Sequence, residues 1–141
     1  MKLTDLMIGD WVNYSILNLN AKVVSILGNH TIGIQFVDKN NKAEAIHGLI
    51  EETINPIPIT EEILVKNGFG RCDYNNQYFI IYDVINLITP KWRGGTEYYA
   101  CAWYQDEFDD LVQHIEICKC AYVHQLQHLL RLCGIDKEIE L

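Results

Sequence analysis

The chain has 141 residues, of which 49% are hydrophobic and 21% are charged. This composition is typical of a folded globular protein and excludes a disordered one, and the length fits one compact domain or two small subdomains. The formal charge of −8, from 11 basic and 19 acidic side chains, disfavours nucleic acid as a partner, because phosphate binding requires a basic surface.

Hydropathy and cysteine usage indicate the compartment. No apolar run reaches the roughly 18 residues of a membrane-spanning helix, and the first six residues lack the apolar core of a secretory signal. The five cysteines are an odd number without the spacing of a disulfide framework: Cys72, Cys101, Cys118, Cys120 and Cys133. We therefore expect a cytoplasmic protein with reduced thiols and no membrane contact.

The N-terminal third has the pattern of a small β-barrel. Short segments rich in β-branched and aromatic residues are separated by turn residues at intervals typical of barrels and sandwiches. The expected strands are Trp11–Tyr14, Ala21–Leu27 and Thr31–Val37, in a β segment that ends near Ile50. Four or five strands of this length predict an SH3-like barrel.

A short helix is predicted after this barrel. Pro56 and Pro58 end strand pairing, because proline has no N–H to donate. Thr60 is then a suitable N-cap, and Gly68 a suitable terminator, for a helix from Glu61 to Asn67.

A second β segment follows the helix. The run 77–88 is apolar on both alternation phases, which indicates a strand covered on both faces. The returning strand is predicted over 96–104 and a further one over 111–117, after the acidic turn at 106–110. This gives an antiparallel sheet of three to four strands.

The last element is an amphipathic helix from Ala121 to Cys133. Its apolar stripe is centred on Leu126 and Leu130, which we expect to be buried, whereas His124 and His128 fall on the polar side. The charged tail 136–141 is expected to fray. The fold class is thus α+β, with a barrel subdomain over 1–58 and an α-β-β-β-α subdomain over 59–141 that share a core.

Three stretches resemble a family of small uncharacterised proteins from gut bacteria and their prophages. They are Leu6 to Val12, the junction Pro56 to Leu64 with Gly68-Phe69, and Tyr122 to Gln127. The resemblance implies a mobile-element context and a β-rich fold closed by a C-terminal helix. It implies no activity, catalytic residue or cofactor.

Cysteine and histidine residues near the C-terminus are candidates for a metal site or for the catalytic site of a thiol enzyme. Thiolate and imidazole bind zinc, but the Cys-x-Cys spacing does not fit a closed zinc motif, and no cysteine follows a strand-to-helix elbow. We therefore predict no metal and no catalytic residue, leaving open metal binding by His114, Cys118, Cys120, His124 and His128.

An aromatic loop is the favoured contact surface. Tryptophan, tyrosine and arginine are enriched at binding hot spots, and the predicted partner-binding residues are Trp92, Arg93, Tyr98, Tyr99, Trp103 and Tyr104. Some of these aromatics are expected to remain exposed together, with self-association into a dimer as the first partner to test.

The sequence thus favours a non-enzymatic binding or accessory protein of a mobile element, whose partner is an unknown protein or a second copy. Two alternatives stay open. One is an acidic mimic of nucleic acid that acts on a basic host protein, and the other is a thiol-dependent hydrolase.

Overall fold

The computed structural model describes residues 2–27, 31–37, 41–72, 78–81, 85–88, 98–105 and 112–141. These residues form two five-stranded antiparallel sheets and two α-helices, so the fold is α+β, as predicted. Within these ranges, none of the helices has the length and apolar character needed to cross a membrane.

The N-terminal sheet is an open antiparallel sheet. Across the sheet the strands lie in the order fourth, third, second, first and fifth, so the fifth strand returns to pair with the first, and the two described edge strands are not paired with each other. A closed barrel is therefore not formed by the described strands. The strands are β1 Trp11–Tyr14, β2 Leu19–Leu27, β3 Thr31–Val37, β4 Ala43–Leu49 and β5 Ile54–Pro56.

One face of this sheet carries the core of the N-terminal unit. Successive side chains point to opposite faces of a strand, and the inward positions of β1 and β3 are all apolar. The buried cluster consists of Leu3, Leu6, Val12, Tyr14, Ala21, Val23, Ile32, Ile34, Phe36, Leu49 and Ile54.

The turn before β1 explains why the sequence has Gly9 followed by Asp10. Gly9 has φ 91°, which favours glycine, and the Asp10 N–H donates to the Met7 carbonyl. The fully buried Asp10 carboxylate accepts the Met7 N–H at 2.7 Å. The Gly9-Asp10 pair is therefore a turn-forming unit rather than a chemical site.

Helix α1 spans Glu61–Lys66, one residue shorter than predicted. The predicted cap is confirmed, since the Ile63 N–H donates to the Thr60 hydroxyl at 3.3 Å. Gly68 has φ 77° and ends the helix, and the Phe69 N–H donates to the Leu64 carbonyl, as in a Schellman motif.

The second sheet has five strands where three or four were predicted. The apolar run that suggested one strand contains two, which pair antiparallel with Ile81 opposite Ile85. A short strand after α1 adds the fifth. The order is β10-β9-β8-β7-β6, with β6 Gly70–Cys72, β7 Tyr78–Ile81, β8 Ile85–Ile88, β9 Tyr99–Gln105 and β10 Val112–Lys119.

Helix α2 spans Val123–Leu132, and Leu126 and Leu130 are fully buried, as predicted. The expectation that His124 is solvated is wrong, because only 3% of its surface is exposed and it stacks on Tyr122. Gln125 reaches back to cap the helix, since its side-chain oxygen accepts the Ala121 N–H at 2.8 Å. The unusual Val-His-Gln-Leu-Gln sequence thus meets capping and burial requirements of this helix.

The C-terminal tail does not fray as expected, because it is held by the end of α1. The Asn67 side chain donates to the Glu140 carbonyl at 2.7 Å and accepts the Glu140 N–H at 2.9 Å. The Lys137 ammonium donates to the Asn67 carbonyl, and Ile139 is 1% exposed. The mostly charged tail thus contains one buried apolar residue, Ile139, which anchors it.

Two compact units can be distinguished in the chain. The first comprises 1–57 with 122–124, and the second comprises 58–121 with 125–141. That 1–58 and 59–141 are subdomains sharing one core stays a prediction.

Candidate functional site on the N-terminal sheet

Two β-bulges coincide on the central part of the N-terminal sheet. The register of β2 against β3 shifts between Val23 and Ser25, and that of β3 against β4 shifts between Ile32 and Ile34. Bulges redirect side chains and are frequent next to functional sites. Both irregularities meet at Gly33, the residue between the two buried isoleucines.

Gly33 makes room for a serine–histidine pair. A Cβ at this position would lie 2.4 Å from Ser25 Oγ and 2.3 Å from His47 Nδ1, so a side chain here would require Ser25 and His47 to move. The same two atoms are 3.4 Å from each other. The side chains of Ser25 and the exposed His47 therefore lie over the Gly33 backbone, on the face opposite the core.

A second row of side chains runs across the same face. Trp11 pairs with Lys22, Lys22 with Gln35, and Gln35 with Ala45. The Lys22 ammonium lies 5.0 Å from the centroid of the Trp11 ring, within cation–π range. Gln35 and Ala45 are exposed. The row thus presents an aromatic ring, an ammonium group, an amide and a small side chain.

The third row consists of asparagines. Asn13 pairs with Asn20 on one side and with Asn55 on the other. Its amide nitrogen lies 3.4 Å from the side-chain oxygens of both Asn18 and Asn20. We call the three rows the outer face; its members are Trp11, Asn13, Asn20, Lys22, Ser25, Gly33, Gln35, Ala45, His47 and Asn55.

The outer face has no carboxylate. Glu44 is the one acidic residue on strands β1 to β5, and it pairs with the buried Phe36, which places it on the core side of the edge strand. In a chain of net charge −8, this surface is locally neutral to basic. Its hydroxyl, imidazole and amide groups both donate and accept hydrogen bonds.

Sequence reasoning missed this face, although three of the five strands that form it were predicted. Ser25 and His47 are 22 residues apart, and the register and the two bulges that bring them together are non-local. The one signal was Gly33 in a strand otherwise rich in β-branched residues, since an isolated glycine in a strand suggests a bulge or a close approach.

The aromatic loop predicted as the contact surface lies partly outside the described residues. Trp92 and Arg93 are in the undescribed segment, and Trp103 and Tyr104 belong to β9. Tyr98 is half-buried, and Tyr99 is only 7% exposed. That these residues contact a partner stays a prediction. Tyr99 supports it least, because its side chain is buried.

Three of the candidate residues for metal binding or catalysis lie on β10 or directly after it. His114 is on β10, Cys118 is exposed, and Cys120 is fully buried. Burial, with a smaller contribution from neighbouring Cys118, raises the pKa of Cys120 to about 12, so its thiol is protonated and a poor nucleophile at neutral pH. Across the described part of the chain, no three histidine, cysteine or acidic residues are grouped to hold a metal ion.

Comparison with protein-family models, with curated proteins and with solved structures finds no match. The resemblance to small proteins of gut bacteria and prophages therefore stays a prediction.

Proposed function

We propose that this chain is a non-enzymatic binding protein whose N-terminal sheet, of SH3-like topology, binds an extended segment of a protein partner on its outer face. The observation that carries the proposal is the set of hydrogen-bonding side chains around Gly33 on a face without carboxylates. A mobile-element context is part of the proposal and rests on the sequence resemblance.

The strand order supports the SH3-like assignment. Five short antiparallel strands follow one another, and the last returns to the first after the 3-10 turn Glu51–Thr53. The Ser15 N–H and hydroxyl both donate to the Thr53 carbonyl at 3.0 Å, which fixes this turn beside β1. The open edges make the sheet a partial rather than a closed barrel.

The chemistry of the outer face favours a polypeptide over a nucleic acid. A peptide group needs one donor and one acceptor, and the side-chain amides of asparagine and glutamine supply both. Serine, glycine and asparagine are typical of surfaces that adapt their hydrogen bonds to a peptide, and tryptophan supplies contact area at low entropic cost. Phosphate binding would require several cations, whereas Lys22 is the one lysine on this face.

The two alternative functions receive less support from the described residues. A mimic of nucleic acid requires carboxylates arrayed on one face, and the outer face has none. A thiol enzyme requires an activated cysteine, a role that the buried and protonated Cys120 does not fit.

Differential selection tests the proposal. A phage-displayed library of random dodecapeptides is selected on the full-length protein and, in parallel, on the Gln35→Ala/His47→Ala double variant. Both substituted side chains are exposed, so the variant should fold. We expect a family of peptides enriched on the wild type, with Kd values that rise at least tenfold on the variant.

The matched control is Glu44→Ala, an exposed substitution on β4 but on the other face. It should leave the Kd of the selected peptides unchanged. Failure to enrich any peptide family on the wild type, or equal enrichment on wild type and double variant, would contradict the proposal.

A further inference from the structure

The end of α1 contains Asn67-Gly68, the one Asn-Gly pair in the chain. Asparagine is a thermolabile residue, and it loses its side-chain amide most readily before glycine, because glycine has no Cβ to hinder its backbone nitrogen. That nitrogen attacks the side-chain carbonyl carbon and closes a succinimide ring, while its proton leaves with the amide group as ammonia. Water then opens the ring to aspartate or isoaspartate. In an unfolded chain, Asn67 is therefore the asparagine most prone to deamidate.

The folded backbone holds this pair in an unreactive geometry. Ring closure requires the Gly68 nitrogen to eclipse the Cβ atom of Asn67. Asn67 has ψ 12°, so the Gly68 nitrogen instead nearly eclipses the Asn67 backbone nitrogen, about a third of a turn away from Cβ. The Gly68 N–H also donates to the Val65 carbonyl at 3.0 Å. The attacking nitrogen is thus turned away from its target and hydrogen-bonded while the end of α1 is intact.

The C-terminal tail, 136–141, restrains the side chain that would be attacked. The Asn67 amide nitrogen donates to the Ile63 carbonyl at 2.8 Å and to the Glu140 carbonyl at 2.7 Å. The Asn67 side-chain oxygen accepts the Glu140 N–H at 2.9 Å, and Asn67 is 3% exposed. The tail also covers Gly68, since a Cβ there would lie 3.6 Å from the Lys137 ammonium. Both reacting groups are therefore shielded by the same segment.

We infer that Asn67-Gly68 is a deamidation site whose reactivity is controlled by the attachment of the tail. When the tail detaches, the Asn67 amide loses its bonds to Glu140 and becomes accessible to water. The last turn of α1 can then unwind, because a helix of six residues has little stability of its own. Unwinding frees the rotation about ψ that ring closure requires. The inference is independent of the function proposed for the N-terminal sheet.

The product cannot bind the tail as asparagine does. Deamidation removes the two hydrogen bonds that the amide nitrogen donates and places a carboxylate oxygen against the Ile63 and Glu140 carbonyls. A carboxylate only accepts hydrogen bonds, and buried acceptors left without donors are destabilising. Isoaspartate also adds a methylene group to the main chain before Gly68. Deamidation would therefore make the detachment of the tail irreversible.

Incubation of the full-length protein at mildly alkaline pH tests the inference. Conversion of Asn67 is measured by mass spectrometry of tryptic peptides and by isoaspartyl methyltransferase labelling, and a synthetic peptide of residues 61–72 gives the unprotected rate. We expect the wild type to react at least tenfold more slowly than the peptide, because the reaction requires the open state. Ile139→Asp, which removes the buried anchor of the tail, should react at a rate close to that of the peptide.

Two further variants separate detachment of the tail from global unfolding. Lys137→Ala removes the hydrogen bond from the tail to the Asn67 carbonyl. It should accelerate deamidation and leave the denaturation midpoint close to that of the wild type, so it decides the test if Ile139→Asp fails to fold. The matched control is Asp136→Ala, an exposed substitution in the same tail, which should react like the wild type.

The consequence of deamidation is tested with Asn67→Asp, which reproduces one product. Hydrogen exchange at the Glu140 amide should be at least tenfold faster in this variant than in the wild type. A wild type that deamidates as fast as the peptide would overturn the inference, as would a Lys137→Ala variant that deamidates no faster than the wild type. Unchanged Glu140 exchange in Asn67→Asp would show that deamidation does not release the tail.

Discussion

Gly33 determines the shape of the candidate site because its missing side chain leaves the space that Ser25 and His47 occupy. The distances of 2.4 Å and 2.3 Å from a virtual Cβ to these two side chains leave no room for an alanine. His47 is exposed and Ser25 only half-buried, so the pair is displaced more easily than the sheet. The site is therefore more sensitive to this residue than the fold is.

Gly33→Ala should lower the free energy of unfolding by about 1–3 kcal/mol, the usual cost of overpacking. The loss should largely vanish when the same substitution is made in a Ser25→Ala/His47→Ala background, because the clashing atoms are then absent. Urea denaturation of the four variants of this cycle measures the coupling. An equal loss in both backgrounds would show that the clash is not with these side chains.

The raised pKa of Cys120 predicts that the folded protein loses stability at alkaline pH. Burial raises its pKa from 9.0 to about 12, so above pH 9 the unfolded chain loses this proton while the folded protein retains it. The stability contributed by the neutral thiol is complete below pH 9 and is lost as pH rises toward 12. In Cys120→Ala this part of the slope should disappear from denaturation midpoints measured over that range; an unchanged slope would contradict the buried, protonated thiol.

At the scale of elements, the predictable parts were those specified by neighbours in sequence. Thr60 and Gly68 delimit α1 by local hydrogen bonds and a positive φ, and the stripe of α2 follows from the helical period. The division of the 77–88 run, the bulges at Gly33 and the anchoring of Ile139 each depend on a partner distant in sequence. Propensity and periodicity describe only neighbours in sequence, so these three features could not be predicted from them.

Helix α2 should be required for folding. Leu126 and Leu130 are fully buried, so Leu126→Ala or Leu130→Ala should each cost about 2–5 kcal/mol. Leu132, which is 85% exposed on the same helix, provides the matched control, and Leu132→Ala should change stability by no more than about 0.5 kcal/mol. Chemical-denaturation midpoints that do not separate the three variants would show that the helix is peripheral.

The attachment of the tail to α1 depends on Asn67. This side chain is 3% exposed and bonds the Ile63 carbonyl as well as both backbone groups of Glu140. Asn67→Ala leaves buried polar groups unsatisfied and should cost about 1–3 kcal/mol. Hydrogen exchange at the Glu140 amide should also accelerate.

Lys66 serves as the control for this attachment. Its ammonium donates to the Leu141 carbonyl from an exposed position, so Lys66→Ala should leave both stability and Glu140 exchange close to those of the wild type. Unchanged Glu140 exchange in Asn67→Ala would show that the tail is held by Ile139 alone.

At the scale of the whole molecule, the net charge of −8 is distributed unevenly. The strands of the N-terminal sheet carry one carboxylate, on the core side of an edge, so the outer face is polar and has no acidic residue. A negatively charged surface limits non-specific association, and a polar face without carboxylates is where a specific polypeptide would bind. The N-terminal sheet is thus the part of the chain on which the proposed function depends.

Amide chemical-shift mapping tests this claim most directly. Full-length, ¹⁵N-labelled protein is titrated with a dodecapeptide selected on the wild type, and perturbed amides are assigned. The account predicts the largest shifts on β2, β3 and β4, around Lys22, Gln35 and His47, with little change in α2. Shifts confined to the second sheet or to α2, with the outer face unperturbed, would contradict it.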